Sequence, residues 1–207
     1  MSFEPRIGID LGGTKIEGVI VTGSPSHLSV LAKKRIPTEA DKGFEHILNQ
    51  VLSLIRDLAH EIDLKSPFRI GMGMPGSLTR DGRVKNSNAV CLNGTNFRQE
   101  LSKRLGQKIQ FANDADCFAL SEAVDGAGAG AAIVFGVIVG TGTGAGIICH
   151  DRLLAGPNAI SGEWGHNPLP WPLDTERPGS ACYCGNHGCI ETWLSGPGLV
   201  RDHESHN

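Results

Sequence analysis

The chain has 207 residues, 40% hydrophobic and 20% charged, and its 19 basic and 22 acidic side chains give a formal net charge of −3. This composition is typical of a globular protein with a sizeable core, and it excludes the strongly basic surface of proteins that bind nucleic acid or anionic membranes. The longest apolar run, residues 131–139, is too short to cross a bilayer. No apolar stretch typical of a signal peptide stands at the N-terminus, so we expect a cytoplasmic location.

The first part of the chain predicts alternating strands and helices. Strands are expected at residues 7–11, 15–21, 68–74 and 109–112. Helices are expected at residues 41–62, 97–105 and 114–124. Asp41 is a suitable N-cap for the first helix, and Gly106 is typical of the end of the second.

The Gly-rich segment 126–130 indicates a junction between a domain at 1–125 and a second domain at 126–207. Strands are expected at 133–139 and 145–149, and a short helix at 190–194. The polar residues 195–207 predict no closing strand or helix. We therefore expect the second domain to be incomplete.

Two Gly-rich loops follow apolar strands and are candidates for binding phosphate, because backbone N–H groups in such turns can approach phosphate oxygens closely. The candidate residues are Asp10, Gly12, Gly13, Thr14 and Lys15 in the first loop and Gly140, Thr141, Gly142 and Thr143 in the second. Asp10 is placed to hold Mg²⁺ directly or through water. The alternative for the first loop is an ordinary Gly-Gly hairpin turn, which we consider less favoured, and this loop lacks the Walker A spacing.

Asn113-Asp114 stands where a strand is expected to give way to a helix. A carboxylate at this position can accept the proton of a substrate hydroxyl and make its oxygen a better nucleophile. The local alternative is that Asp114 is simply a helix cap.

Three cysteines crowd into eight residues, and a histidine precedes them. His166, Cys182, Cys184 and Cys189 have the composition of a structural zinc site with four protein ligands, and a closed shell of this kind leaves no position for catalysis by the metal. His187 is an alternative ligand within the same loop, and metal-free reduced thiols are the alternative to a metal site. Glu163 and Glu191 flank the cluster as acceptors for sugar hydroxyls or as solvated surface charges.

Taken together, these motifs resemble the ROK family (repressors, open reading frames and sugar kinases). The matching segments are DLGGTK at 10–15, GMGMPG at 71–76, NDAD at 113–116, GTGTGAG at 140–146, GEWGH at 162–166 and CYCGNHGCIE at 182–191. GEWGHNPLPW and VKNSNAVCLNG are similar to bacterial fructokinases (manno-fructokinases), and NDADCFALSEA is also similar to N-acetylglucosamine kinases.

The resemblance implies an actin-like ATPase (ribonuclease H-like) fold, with two α/β domains around a cleft and ATP phosphates between the two Gly-rich loops. It implies Asp114 as the catalytic base, zinc on the four ligands above, Mg²⁺ with ATP, and a homodimer. The sugar-binding residues that it implies are Gly76, Asn93, Asn113, Asp114, Glu163, His166 and Glu191.

The expected activity is transfer of the γ-phosphoryl group of ATP to a hexose, with fructose 6-phosphate as the expected product. N-acetylglucosamine kinase and glucokinase activities are the alternatives within this class. Family members run to roughly 300 residues, in keeping with two domains of ordinary size, so a shortened, non-catalytic, zinc-stabilised sugar-binding module is an alternative of another class. A sugar-sensing repressor is disfavoured, because the first strand begins near residue 6 and leaves no room for an N-terminal helix-turn-helix.

Overall fold

A computed structural model describes residues 4–24, 27–65 and 67–205. The chain forms two compact units, Met1–Cys117 and Phe118–Asn207. This division lies within a helix, eight residues before the boundary at 125/126 that the Gly-rich segment indicates.

The first unit is built on a five-stranded sheet with the order β3-β2-β1-β4-β7. Its strands are β1 (Arg6–Leu11), β2 (Lys15–Ser24), β3 (His27–Pro37), β4 (Arg69–Met74) and β7 (Gln110–Asn113). β2 is antiparallel to β1 and to β3, whereas β4 is parallel to both β1 and β7. A two-stranded ribbon, β5 (Ser77–Leu78) with β6 (Val84–Lys85), follows β4.

Helix α1 (Phe44–Glu61) supplies the largest apolar face packed on this sheet. The predicted periodicity is confirmed, since Ile47, Leu48, Val51, Ile55 and Leu58 are all buried. The start is displaced from the prediction: Asp41 lies in a separate 3₁₀ turn, and Gly43 precedes the helix without a side-chain cap. Helix α2 (Phe97–Leu105) ends, as predicted, at Gly106, which has a left-handed conformation.

Strand β3 was not predicted. Ala32 is its one buried residue, so the segment lacks the alternation of apolar and polar residues that identifies a half-buried strand. It lies at the edge of the sheet, where basic side chains such as Lys33 and Lys34 pair with Glu17 and Asp57.

The second unit has a three-stranded antiparallel sheet with the order β10-β9-β8. Its strands are β8 (Ile133–Val139), β9 (Thr143–Cys149) and β10 (Arg152–Leu153). Helix α3 (Asp114–Val124) contributes Ala119 and Ala123 to a small core with Ile148. Among the described residues, no helix is both long and apolar enough to span a membrane.

The expectation that residues 195–207 form no helix was wrong. Helix α4 (Gly196–Ser205) covers most of them, and Ser195 caps it by accepting a hydrogen bond from the Gly198 N–H at 3.1 Å. The helix could not be recognised in the sequence because Gly196, Pro197 and Gly198 are typical of a loop. Proline is nevertheless well suited to a first helical turn. The short helix expected at 190–194 is a 3₁₀ turn, Ile190–Thr192.

Candidate functional site

The carboxyl ends of the three parallel strands of the first unit bring candidate residues to one sheet edge. Asp10 lies opposite Gly73 in the pairing of β1 with β4, and Met74 lies opposite Asn113 in the pairing of β4 with β7. The carboxyl ends of parallel strands are the usual ligand-binding edge of an open α/β sheet. The sequence-predicted residues Asp10, Asn113 and Asp114 are therefore neighbours, although more than a hundred positions separate the first from the other two.

Two carboxylates at this edge repel one another. The pKa of Asp10 is raised above its ordinary value, first because partial burial disfavours the charged form and then because Asp114 and Glu17 lie close by. Lys15 and Arg35 act in the opposite direction but do not reverse the shift. Such a pair of carboxylates is suited to a divalent cation, which would offset the repulsion.

The first Gly-rich turn is held by residues that the sequence motif did not include. Thr38 is fully buried; its hydroxyl donates to the Gly12 carbonyl at 2.7 Å and its N–H donates to the Thr14 carbonyl at 3.0 Å. Asn88 lies against Gly13, where an added side-chain carbon would come within 3.3 Å of Asn88 Oδ1. A buried hydroxyl far from the motif has no local sequence signal, so Thr38 could not have been found from spacing.

Asn113 caps α3 and thereby leaves Asp114 available for another role. Its Oδ1 accepts a hydrogen bond from the Asp116 N–H at 3.1 Å, and its Nδ2 donates to the Gly76 carbonyl at 3.0 Å. Asp114 accepts a bond from the adjacent Ala115 N–H. Asn113 is therefore the residue that caps the helix, the role that was the local alternative for Asp114.

Gly76 and Asn93 both shape the loop that follows β4. Gly76 has a φ of 83°, and a side chain there would collide with the backbone of residues 85–87. The amide of Asn93 bonds the backbone of Ser87 twice, at 2.9 Å in each direction. Because both sides of this amide are engaged, Asn93 orders the loop; its direct contact with a sugar stays a prediction.

The second Gly-rich loop joins β8 to β9 and is held from two sides within its unit. The Gly140 carbonyl accepts from the Gly196 N–H at 2.8 Å, and the Thr143 hydroxyl donates to the Leu194 carbonyl. The indole N–H of Trp164 donates to the Gly144 carbonyl at 3.2 Å. Thr143 is buried, whereas the residues Gly140 and Thr141 are exposed to solvent.

The four predicted metal ligands converge, with all four ligand atoms within 4.8 Å of one another. The Cys184 and Cys189 sulfurs are 3.6 Å apart, and the Cys182 sulfur is 3.5 Å from His166 Nδ1. A tetrahedral shell with bonds of about 2.3 Å to sulfur and 2.0 Å to nitrogen has edges of about 3.8 Å between two sulfurs and about 3.5 Å between sulfur and nitrogen. The donor set therefore fits a tetrahedral zinc ion, and His187 does not belong to the group.

Backbone pairing places the histidine beside the cysteines. The Ile190 N–H donates to the Asn167 carbonyl at 2.9 Å, and Pro168 forms a β-bridge with Cys189. Turns around Gly185 and Gly188 then orient the remaining sulfurs. The 3₁₀ segment that carries Glu191 is consequently fixed to the segment that carries Glu163 and His166.

Tyr183 lies beside these groups and was not predicted to do so. Its hydroxyl is 3.0 Å from His166 Nε2, and the two rings meet edge to face at 5.1 Å. Burial raises the pKa of the Tyr183 hydroxyl, and the neighbouring Glu191 and Glu163 raise it further. The Tyr183 hydroxyl thus contacts Nε2 of the imidazole, while Nδ1 faces the Cys182 sulfur.

The arrangement of these motifs agrees with a known family. The model of the ROK family matches residues 6–207. The chain belongs to the ROK family. N-acetyl-D-glucosamine kinases of Pectobacterium atrosepticum and Escherichia coli are 37% and 38% identical to it in alignments of 200 and 199 residues, and each alignment covers 93% of this chain. The chain spans 63% of the length of each of these relatives.

Solved ROK structures confirm the actin-like ATPase fold expected from the sequence. A ROK hexokinase from Thermus thermophilus has a TM-score of 0.77 and 31% identity, with 98% of this chain and 64% of that chain covered. A ROK family glucokinase from Streptomyces griseus, in complex with glucose and AMPPNP, has a TM-score of 0.76 and 28% identity, with 95% and 59% covered.

Proposed function

We propose that this ROK protein acts as an ATP-dependent hexose kinase on N-acetylglucosamine or glucose. The proposal rests on one observation. Asp10, Asp114 and the Gly12-Gly13 turn lie together at the carboxyl ends of β1, β4 and β7. The named relatives support a sugar kinase, since they are N-acetyl-D-glucosamine kinases, a hexokinase and a glucokinase. They give no support to the fructose preference expected from GEWGHNPLPW.

In the proposed reaction, Asp114 accepts the proton of the sugar hydroxyl as its oxygen attacks the γ-phosphorus and the bond from that phosphorus to ADP breaks. Asn113 supports this role by capping α3 in place of Asp114. Asp10 contributes a carboxylate for Mg²⁺, which neutralises phosphate charge when bound. Backbone N–H groups of the Gly-rich turns hold phosphate oxygens, a task that requires close approach and no side-chain chemistry.

The sugar would be recognised in the second unit by Glu163 and Glu191, which flank the metal-ligand cluster, and by His166, which belongs to the cluster and would exchange its Tyr183 contact for a sugar hydroxyl. We propose structural zinc on His166, Cys182, Cys184 and Cys189, as the 3.5–3.6 Å spacings support. These four side chains would hold the ion, join the two segments that carry Glu163 and Glu191, and leave no coordination position open. Its expected role is to order the sugar site.

The test of the proposed kinase is Asp114→Asn, with Asp116→Asn as the matched control from the same helical turn. ADP release in the presence of N-acetylglucosamine, glucose or fructose is measured with a coupled assay. Loss of the base is expected to lower sugar-dependent turnover by about 10²–10⁴-fold, while Asp116→Asn stays near wild type. Near-normal turnover in Asp114→Asn would rule out the assignment of the base.

A further inference from the structure

The carboxylate of Glu191 accepts a hydrogen bond from a backbone N–H of the second Gly-rich loop. Glu191 Oε2 accepts a hydrogen bond from the Thr143 N–H at 2.8 Å, across 48 residues of sequence. Gly142 makes this approach feasible, because a side chain at that position would overlap Glu191 Oε2. Glu191 therefore reaches the loop from the metal-bound segment, two residues after Cys189.

This contact places an anion where a phosphate oxygen is expected. Backbone N–H groups in Gly-rich turns bind phosphates by donating to a charged oxygen, and a carboxylate oxygen satisfies the same donor. While Glu191 holds the Thr143 N–H, that donor is unavailable to a nucleotide, and the negative charge repels an approaching phosphate. The Thr143 hydroxyl is also engaged, by the Leu194 carbonyl.

Glu191 also borders the proposed sugar site. It is carried by the 3₁₀ segment that backbone pairing joins to the segment of Glu163 and His166, since the Ile190 N–H donates to the Asn167 carbonyl at 2.9 Å and Pro168 bridges Cys189. The Glu191 carboxylate thus bonds the loop N–H and lies on a segment joined to the one that carries two of the proposed sugar ligands.

Resting on the proposed function, we propose that Glu191 is a positioning residue that couples the two substrates. In the absence of sugar its carboxylate caps the Thr143 N–H and keeps the loop closed to phosphate. A hexose hydroxyl that binds the carboxylate draws it away, and the Thr143 N–H becomes free to donate to a phosphate oxygen. Sugar binding therefore strengthens phosphate binding, and by linkage phosphate strengthens sugar binding by the same factor.

The experiment measures binding of Mg-AMPPNP by calorimetry with and without N-acetylglucosamine. Wild-type protein is expected to bind the nucleotide about tenfold more tightly with sugar, the size of one charge-assisted hydrogen bond. Glu191→Gln weakens the cap, and Glu191→Asp keeps the charge but is too short to reach Thr143. Both variants should lose the sugar dependence, and Glu191→Gln should bind Mg-AMPPNP more tightly than wild type without sugar.

Glu176→Gln is the matched control. Glu176 Oε2 accepts a bond from the Leu173 N–H at 2.6 Å in the same unit, so the variant removes an equivalent carboxylate cap away from the loop. It should retain the wild-type sugar dependence. A sugar dependence that persists in Glu191→Asp would overturn the proposal, since charge alone would then explain the coupling while the kinase function stands. Failure of wild-type protein to bind Mg-AMPPNP under either condition would overturn both the coupling and the kinase proposal.

Discussion

Thr38 offers a sensitive test of how the first Gly-rich turn is held, because its side chain is fully buried and its hydroxyl bonds the Gly12 carbonyl. Thr38→Val replaces the hydroxyl by a methyl group of similar volume and leaves the backbone bond to Thr14 intact. The lost bond and the carbonyl left without its partner should together lower the free energy of unfolding by about 1–3 kcal/mol. The turn should also become less ordered, so Mg-AMPPNP should bind several-fold more weakly.

Thr38→Ser is the control, because it keeps the donor and removes a buried methyl group at a cost of about 1 kcal/mol. Urea denaturation gives the free energies of unfolding, and calorimetry gives the nucleotide affinity. Both variants should be destabilised, but Thr38→Val alone should lose affinity. Equal affinity in the two variants would refute the argument that this hydroxyl orders the turn.

Three further predictions concern packing, charge and metal. Gly18→Ala should cost about 1–3 kcal/mol in urea denaturation, because the added carbon would lie 2.5 Å from Leu58 Cδ1; Gly71→Ala in the same sheet meets no atom within 4 Å and should be far milder. Asp10→Asn should raise the melting temperature at pH 7, since the raised pKa means that ionisation of Asp10 costs folding stability, and the gain should vanish below its ordinary pKa of 3.8. Metal analysis should find one zinc per chain, lost in Cys184→Ser and kept in Cys149→Ser; zinc retained without Cys184 would contradict the ligand set.

The sequence predicted those features whose signals are local. Helix α1 was recognisable because its buried residues recur at helical spacing, and the metal ligands because three cysteines fall within eight residues of one another. Helix α4 was missed because Gly196, Pro197 and Gly198 resemble a loop, although Ser195 caps them into a helix. Strand β3 was missed because an edge strand with a single buried residue carries no alternating pattern.

The supporting contacts of the candidate site could not be predicted, because they join distant parts of the chain. Thr38 reaches Gly12 across 26 residues, and Glu191 reaches Thr143 across 48. The motifs identify both Gly-rich loops, but the backbone donors that remain free in each depend on these tertiary bonds. Glu191 is an example: it was expected to be an acceptor for sugar hydroxyls or a solvated surface charge, and its bond to the second loop had no signal in the sequence.

The proposed transfer of a phosphoryl group from ATP to a hexose can be followed by ³¹P NMR of the reaction products. Protein with Mg-ATP and N-acetylglucosamine or glucose should give a new phosphomonoester signal together with ADP, whereas fructose should give much less. Asp114→Asn should abolish the signal. ATP that stays intact, or is hydrolysed to inorganic phosphate with no sugar phosphate formed, would contradict the proposed hexose kinase activity.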